Sequence, residues 1–365
     1  MNPFRADFKQ FTLEFIHPMG TSRGVLHERD TFIITLSSDP EHGQVGLGEC
    51  APLPGLSIDA RPGFANKLQD VCDELNSGYH PSDLNLIEWP AIRFGLESAL
   101  LDFERGGVRV LFDSDFTQGR KSIPINGLIV MADVETMLQQ AFHKIEAGFD
   151  CIKIKVGALD FEAECALLQE IRKRCPAEQI QLRLDANGAF EADTALEKLR
   201  RLHEFTIHSI EQPMKAGQTD KMAELCKKSP IPIALDEELI GVRSESVKKE
   251  LLRAIQPQYI ILKPTLVGGL QASEEWISLA DNANIGYWIT SALESNIGLN
   301  AISQWTSTLP VALQQGLGTG RLFVTNFRSP LKVENGRLWH NKQRIAQNCK
   351  LFKDHGAHYE SGTMD

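Results

Sequence analysis

Six charged residues recur along the chain, each near the end of a short apolar run. They are Lys153 and Lys155 in CIKIKVG, Asp185 in QLRLDANGAF, Glu211 in HSIEQP, Asp236 in PIALDEEL and Lys263 in YIILKPT. Runs this rich in β-branched and aliphatic residues read as interior strands. In CIKIK the apolar and basic residues alternate, so a period-two strand projects both lysines from one face. Two ammonium groups on an interior face are costly unless acids offset them. Three carboxylates in one place would raise one another's pKa unless a cation sat among them. Oxygen ligands without a nearby histidine or thiol suit a hard ion, so the reading is that Asp185, Glu211 and Asp236 hold Mg2+, with Mn2+ as the alternative. Blander readings exist for each residue alone. A lone strand-end acid is usually a helix N-cap, a lysine pair can guard a sheet edge, and Lys263 before Pro264 can be a loop residue. The regular placement of all six argues for a single site.

To bring these residues together, the chain must supply parallel strands in register. With markers at residues 155, 185, 211, 236, 263, 291 and 316, the strand ends are spaced by 30, 26, 25, 27, 28 and 25 residues. Helix-compatible segments such as 134–148 and 161–175 lie between them. That is the length of one strand–helix unit of a barrel, and barrel active sites lie at the C-terminal strand ends. Candidate strands are 122–129, 151–156, 180–186, 206–211, 231–236, 258–263, 286–291 and 311–316. No GxGxxG turn follows the first of them, which argues against a doubly wound sheet. The first hundred residues differ in texture. Strand-like runs at 8–16, 31–36 and 44–49 precede helical stretches at about 62–76 and 88–105, and RLFVTNF and PLKVENGRLWH bring short strands back after residue 320. The fold expected is α/β: a modified (β/α)8 TIM-type barrel with an α+β capping domain. Residues 1–120 would form the cap, 121–320 the barrel, and 321–365 a segment returning to the cap and ending in a polar tail.

Composition narrows the function classes. A net charge of −10 and a pI near 5.6 argue against nucleic acid or an anionic membrane as partner. Asp7 and Lys9 interrupt any signal-peptide core, and no apolar run reaches the length of a membrane span. Seven scattered cysteines without a CxxC pair suit free thiols in a reducing compartment. The expectation is a cytoplasmic protein acting on a small-molecule carboxylate.

KIKVG (153–157), RLDANGAF (183–190), IEQP (210–213), LDEE (235–238) and LKPTLVGG (262–269) resemble the enolase superfamily in its muconate-lactonising subgroup, over nearly the whole chain. Less specific stretches, TSRGVLHERDTFIITL (21–36), GLGECAPLPGLS (46–57) and TSALESNIGLNAISQW (290–305), are similar to the o-succinylbenzoate synthase family within it. The resemblance implies removal of a proton α to a carboxylate, giving an enediolate. Lys155 is then the base, with Lys153 orienting it and lowering its pKa, and Lys263 stabilises the enediolate from the opposite face. It also implies that Lys155 returns its proton to a departing hydroxyl, converting 2-succinyl-6-hydroxy-2,4-cyclohexadiene-1-carboxylate to 2-succinylbenzoate in menaquinone biosynthesis. Asn187 and Glu237 would fix the ligands and lysines, and Ser291 would meet the succinyl carboxylate. Thr21, Ser22 and Arg23, with Leu53 to Ser57, would sit on capping loops. Two readings of Arg183 stand, a substrate contact and a structural ion pair.

The nearest rival is an N-acylamino acid racemase or dipeptide epimerase using Lys155 and Lys263 as opposed bases. Dipeptide epimerases carry an Asp-x-Asp pair after the eighth strand, where this chain has GLGTG (316–320). A Schiff-base aldolase would leave the three acids without a purpose, and a non-catalytic barrel would leave all six residues so.

Overall fold

The computed structural model describes residues 5–21, 24–38, 43–341 and 360–361. Strands β1 (Arg5–Thr21) and β2 (Gly24–Ser37) pair antiparallel, and β3 (Val45–Cys50) adds to the far edge of β2. Alternation explains the sheet. Phe11, Leu13 and Phe15 are buried while Thr12 and Glu14 between them are exposed. Helices α1 (Phe64–Asn76) and α2 (Pro90–Glu104) cover one face, packing Leu68, Val71, Ile92 and Leu96 on Phe32 and Ile34. Gly48 permits that contact, because a Cβ there would lie 1.8 Å from the carbonyl oxygen of Gly95.

The barrel starts with β4 (Ile123–Pro124) and β5 (Gly127–Ile129), followed by α3 (Val134–Glu146). Strands β6 (Cys151–Lys155), β7 (Gln181–Asp185), β8 (Ser209–Glu211) and β9 (Ile233–Leu235) alternate with α4 (Phe161–Arg174), α5 (Ala192–His203), α6 (Thr219–Lys228) and α7 (Glu245–Ile255). Then come β10 (Tyr259–Leu262), α8 (Pro264–Val267), α9 (Gly269–Asn282), β11 (Gly286–Ile289) and α10 (Asn296–Thr306). Strands β5 to β11 form one seven-stranded parallel sheet in chain order.

Residues 315 and 316 close the ring through parallel bridges from Gln315 to Ile125 and from Gly316 to Thr290. The strand expected over 311–316 is thus reduced to two residues. The Gln315 side chain takes over part of the ladder, accepting from Ile289 N at 2.7 Å and donating to Leu313 O at 2.6 Å. No helix follows it among the described residues, so the barrel has seven strand–helix units and a final strand. The strand expected over 122–129 is split. Pro124 has no N–H to offer a ladder, and β4 turns away to pair with β14 (Arg337–His340), the partner of β13 (Leu331–Glu334).

Residues 322–324 meet the cap instead: Ile16 N donates to Leu322 O and Val324 N to Glu14 O, each at 2.9 Å. Phe11 meets Phe327 edge-on at 5.1 Å, and β12 (Thr325–Asn326) pairs with β15 (Glu360–Ser361). The rest of the polar tail lies outside the described residues.

Strand alternation sorts the barrel's side chains. Ile152, Ile154, Leu182, Leu184, Ile210 and Ile233 face outward into one continuous core under the helices. Each such side chain contributes about 1.5–3 kcal/mol by leaving water. The inward positions therefore receive the lysines and acids, above a small apolar plug of Ala234, Ile261 and Trp288.

Candidate active site

Strand register alone aligns three of the six charged residues. Lys155 is paired with Asp185, and Asp185 with Glu211, across β6, β7 and β8. Lys153 is two residues earlier on the same face, while Asp236 and Lys263 each follow the last residue of β9 and β10. All six reach the C-terminal mouth of the barrel.

The three acids are buried, and the three lysines are 11%, 17% and 13% exposed at Lys153, Lys155 and Lys263. Lys153 Nζ lies 3.0 Å from Asp185 Oδ2 and also donates to Glu211 Oε2. Lys263 donates to Asp236 Oδ2 and stands 3.8 Å from Glu211 Oε1. Lys155 is held differently. It donates to the neutral amide oxygen of Asn187 at 2.5 Å, with Asp185 Oδ2 farther off at 3.7 Å. Asn187 Nδ2 in turn donates to Glu237 Oε1 at 3.1 Å.

Burial alone would lower the pKa of Lys153, but Asp185 and Glu211 outweigh it and hold the ammonium above its ordinary range. At Lys263, Asp236 and Glu211 likewise overcome burial and lift it well above that range. Burial would raise Asp185, yet Lys153, Lys155 and Lys263 together pull it well below the usual carboxylate range. Glu211 goes the other way: burial and the Asp185 charge push it up to about 7 against Lys153 and Lys263. Two lysines are thus fixed as cations, and the third has a neutral partner.

Among the described residues, no three carboxylate, histidine or cysteine groups converge as a ready-made metal cage; the ammoniums of Lys153 and Lys263 lie among the acids. The donor chemistry nevertheless fits a hard cation. Glu211 Oε1 is buried and accepts no hydrogen bond, so it keeps a lone pair that an oxygen-seeking ion can take, beside the carboxylates of Asp185 and Asp236.

Asp185 joins Lys153, Lys155, Lys263, Asn187 and Glu237 in flooring a cavity of about 870 Å3, measured out to its open mouth, while Glu211 and Asp236 do not line it. Its other wall is apolar, with Met19, Leu53, Leu56, Ala292 and Leu293 over the charged floor. Ser291 lines it too, its hydroxyl 2.6 Å from that of Thr319. Arg183 does not line it. Its guanidinium lies below the charged layer, stacked 4.3 Å over Trp288 and donating to Gln314 O at 2.7 Å. The partners this position gives it are an indole and a carbonyl rather than an acid.

Thr21 ends β1 opposite Gly24, and Ser22 and Arg23 lie outside the described residues. The sequence reading missed Asn126, Thr290 and Thr319 as lining residues. Thr319 carries a legible signal, since it stands in GLGTG at the eighth strand end.

Residues 136–343 match the family described as Enolase C-terminal domain-like, and residues 8–103 match the MenC N-terminal domain. The chain belongs to the enolase superfamily. It is 42% identical to the o-succinylbenzoate synthase of Desulfotalea psychrophila, over 93% of this chain and 99% of that one. The crystal structure of MenC from that organism superimposes with a TM-score of 0.83 at 39% identity, covering 92% of this chain and 99% of that chain. The o-succinylbenzoate synthase of Thermosynechococcus elongatus, solved with Mg in its active site, gives 0.70 at 25% identity and covers 86% and 92% of the two chains. The L-Ala-D/L-Glu epimerase of Bacillus subtilis is farther away, at 24% identity over 84% of this chain and 86% of its own. Like its superfamily relatives, the protein is an enzyme with a small-molecule substrate. No helix among the described residues is long and apolar enough to cross a membrane.

Proposed function

We propose that this enzyme is an o-succinylbenzoate synthase, dehydrating 2-succinyl-6-hydroxy-2,4-cyclohexadiene-1-carboxylate to 2-succinylbenzoate in menaquinone biosynthesis. The observation that carries the reading is the unequal treatment of the three lysines at the mouth of a cavity with one charged and one apolar wall. Lys153 and Lys263 are held as cations by carboxylates, whereas Lys155 rests on the Asn187 amide. Such a site needs one proton carrier and fixed positive charge around it.

In this mechanism the ring carboxylate lies on the charged floor. Lys155 takes the proton from C1, and Lys263 and Lys153 stabilise the enediolate that forms. The C6–O bond then breaks, and the Lys155 ammonium returns its proton to the departing hydroxide as water. Aromatisation drives the step. Asn187, steadied by Glu237, orients Lys155. The ring lies under Leu53, Leu56 and Leu293, and the succinyl carboxylate meets the Ser291 and Thr319 hydroxyls. Asp185, Glu211 and Asp236 would hold Mg2+, or Mn2+, which supplies Lewis-acid stabilisation of the carboxylate.

The same proposal includes a cap over 1–120, a barrel over 121–320 and a returning segment over 321–365. The pairing of residues 322–324 with β1 supports it, while the β13–β14 hairpin seats on β4 of the barrel. A cytoplasmic location is part of it too, supported by free, buried cysteines such as Cys50, Cys151 and Cys226.

The rival racemase reading has in its favour that Lys155 and Lys263 both line the cavity. The dipeptide epimerase form of it lacks an acid at 316–320. The deciding experiment incubates the protein with the cyclohexadiene, with and without a chelator, and reads the aromatic product by absorbance and mass. The expected result is metal-dependent formation of 2-succinylbenzoate; no product in excess Mg2+ refutes the reading.

A further inference from the structure

We propose that Arg29 is a positioning residue that fixes the apolar wall of the cavity by clamping a cap loop to a barrel loop. Arg29 lies on β2 of the cap, is 2% exposed and does not line the cavity itself. Its Nη1 donates to the carbonyl oxygens of Ala292 and Leu293, each at 2.7 Å. Its Nη2 donates to Ala51 O at 2.8 Å and to Pro52 O at 3.4 Å. One planar fork therefore holds the backbone just before Leu53 and the backbone of Ala292 and Leu293, which are residues of the same cavity wall.

The geometry calls for such a clamp. Leu293 has φ 62°, in the left-handed region that a leucine occupies only when its surroundings impose it. The bond from Arg29 to its carbonyl is one such constraint. Burial works against the Arg29 charge, and Glu49 and Glu294 close by offset that cost only in part. Both acids bind the same barrel loop. Glu49 accepts from Ser295 N at 2.8 Å, Ser295 Oγ at 2.5 Å and Gly298 N at 2.7 Å, while Glu294 accepts from Ala292 N at 2.6 Å. Lysine cannot replace the fork, because a single ammonium does not span four carbonyls on two loops.

The test uses the full-length enzyme with Arg29→Met and the milder Arg29→Lys. Amide hydrogen exchange is followed without substrate, so this arm is independent of the synthase reading; the kinetic arm rests on that reading. We expect residues 51–57 and 291–298 to exchange about tenfold faster or more, while β6 to β8 stay within about twofold of wild type. KM for the cyclohexadiene should rise about tenfold with kcat within about threefold, since the wall holds the substrate's body and not its reacting bond. Arg29→Lys should lie between, and it decides the matter if Arg29→Met does not fold. Wild-type exchange in both segments overturns the proposal. So does equal loosening of the whole barrel in both variants, or a fall in kcat with KM unchanged. If the wild-type protein does not turn over the cyclohexadiene, the synthase reading fails and hydrogen exchange alone decides the clamp.

Discussion

Gly318→Asp tests the dicarboxylate reading at a position where the structure leaves room for it. Gly318 lines the cavity next to Thr319. A Cβ there would meet Ile125 Cδ1 at 3.5 Å and Asn126 O at 3.6 Å, which is ordinary contact. Gly316 contrasts with it, since a Cβ there would press 2.5 Å from Thr290 Cγ2. An aspartate at 318 therefore fits, and its main effect is charge. If the succinyl carboxylate lies about 5–8 Å from it, repulsion at an effective dielectric near 20 is about 2–3 kcal/mol. That corresponds to a loss of roughly 30- to 160-fold in kcat/KM, toward the lower end where the open mouth admits salt. Gly318→Asn is the control of equal size, expected within about threefold of wild type. The assay is steady-state turnover of the cyclohexadiene, with folding checked by circular dichroism. If the aspartate and asparagine variants are equally active, no second carboxylate sits near Gly318 and the placement of the succinyl arm is wrong.

Lys155→Ala should abolish dehydration, and wild-type turnover by that variant would remove Lys155 from the role of base. Lys263→Arg should keep part of the dehydration activity while Lys263→Ala loses it, because only charge is asked of this residue. Under a two-base racemase, by contrast, both variants would fail to racemise N-succinyl amino acids yet still exchange one enantiomer's α-proton in D2O. Divalent-ion affinity, read by calorimetry, should fall with pH. With Glu211 near 7 in the metal-free protein, the ion must displace a proton below that pH, so binding at pH 6 should be about tenfold weaker than at pH 8. A pH-independent affinity would show that Glu211 is not a ligand, and Glu211→Gln should remove the slope along with most of the affinity. The linked stability has a definite sign. A carboxyl whose folded pKa is raised favours the metal-free fold below about pH 4.3, its unfolded value, and that contribution is lost as pH rises toward 7.

How much of this was legible in advance depends on the range of the interaction. Period-two alternation is a property of neighbouring residues, so CIKIK and QLRLD announce by themselves that Lys153, Lys155 and Asp185 share the inner face of their strands. The spacing of strand ends is likewise local chain length counted repeatedly, and with it came the barrel and the convergence of Asp185, Glu211, Asp236 and Lys263 on one mouth. Pairing across distant segments was not legible. Nothing in RLDAN says that Arg183 stacks on Trp288 below the site, because that depends on how deep each layer of the barrel sits. Nothing in VALQQG says that Gln315 gives its side chain to the ladder, since the need arises only when the ring closes. The cap contacts are the clearest case. Arg29 and Leu293 are 264 residues apart, and a guanidinium finds a carbonyl at that separation only once two loops have been packed together. The sequence by itself determined which faces carry charge and which carry the core. The tertiary structure alone decided which lysine rests on an amide instead of an acid, and what roofs the cavity, because burial and hydrogen-bond geometry exist only after distant strands and loops meet.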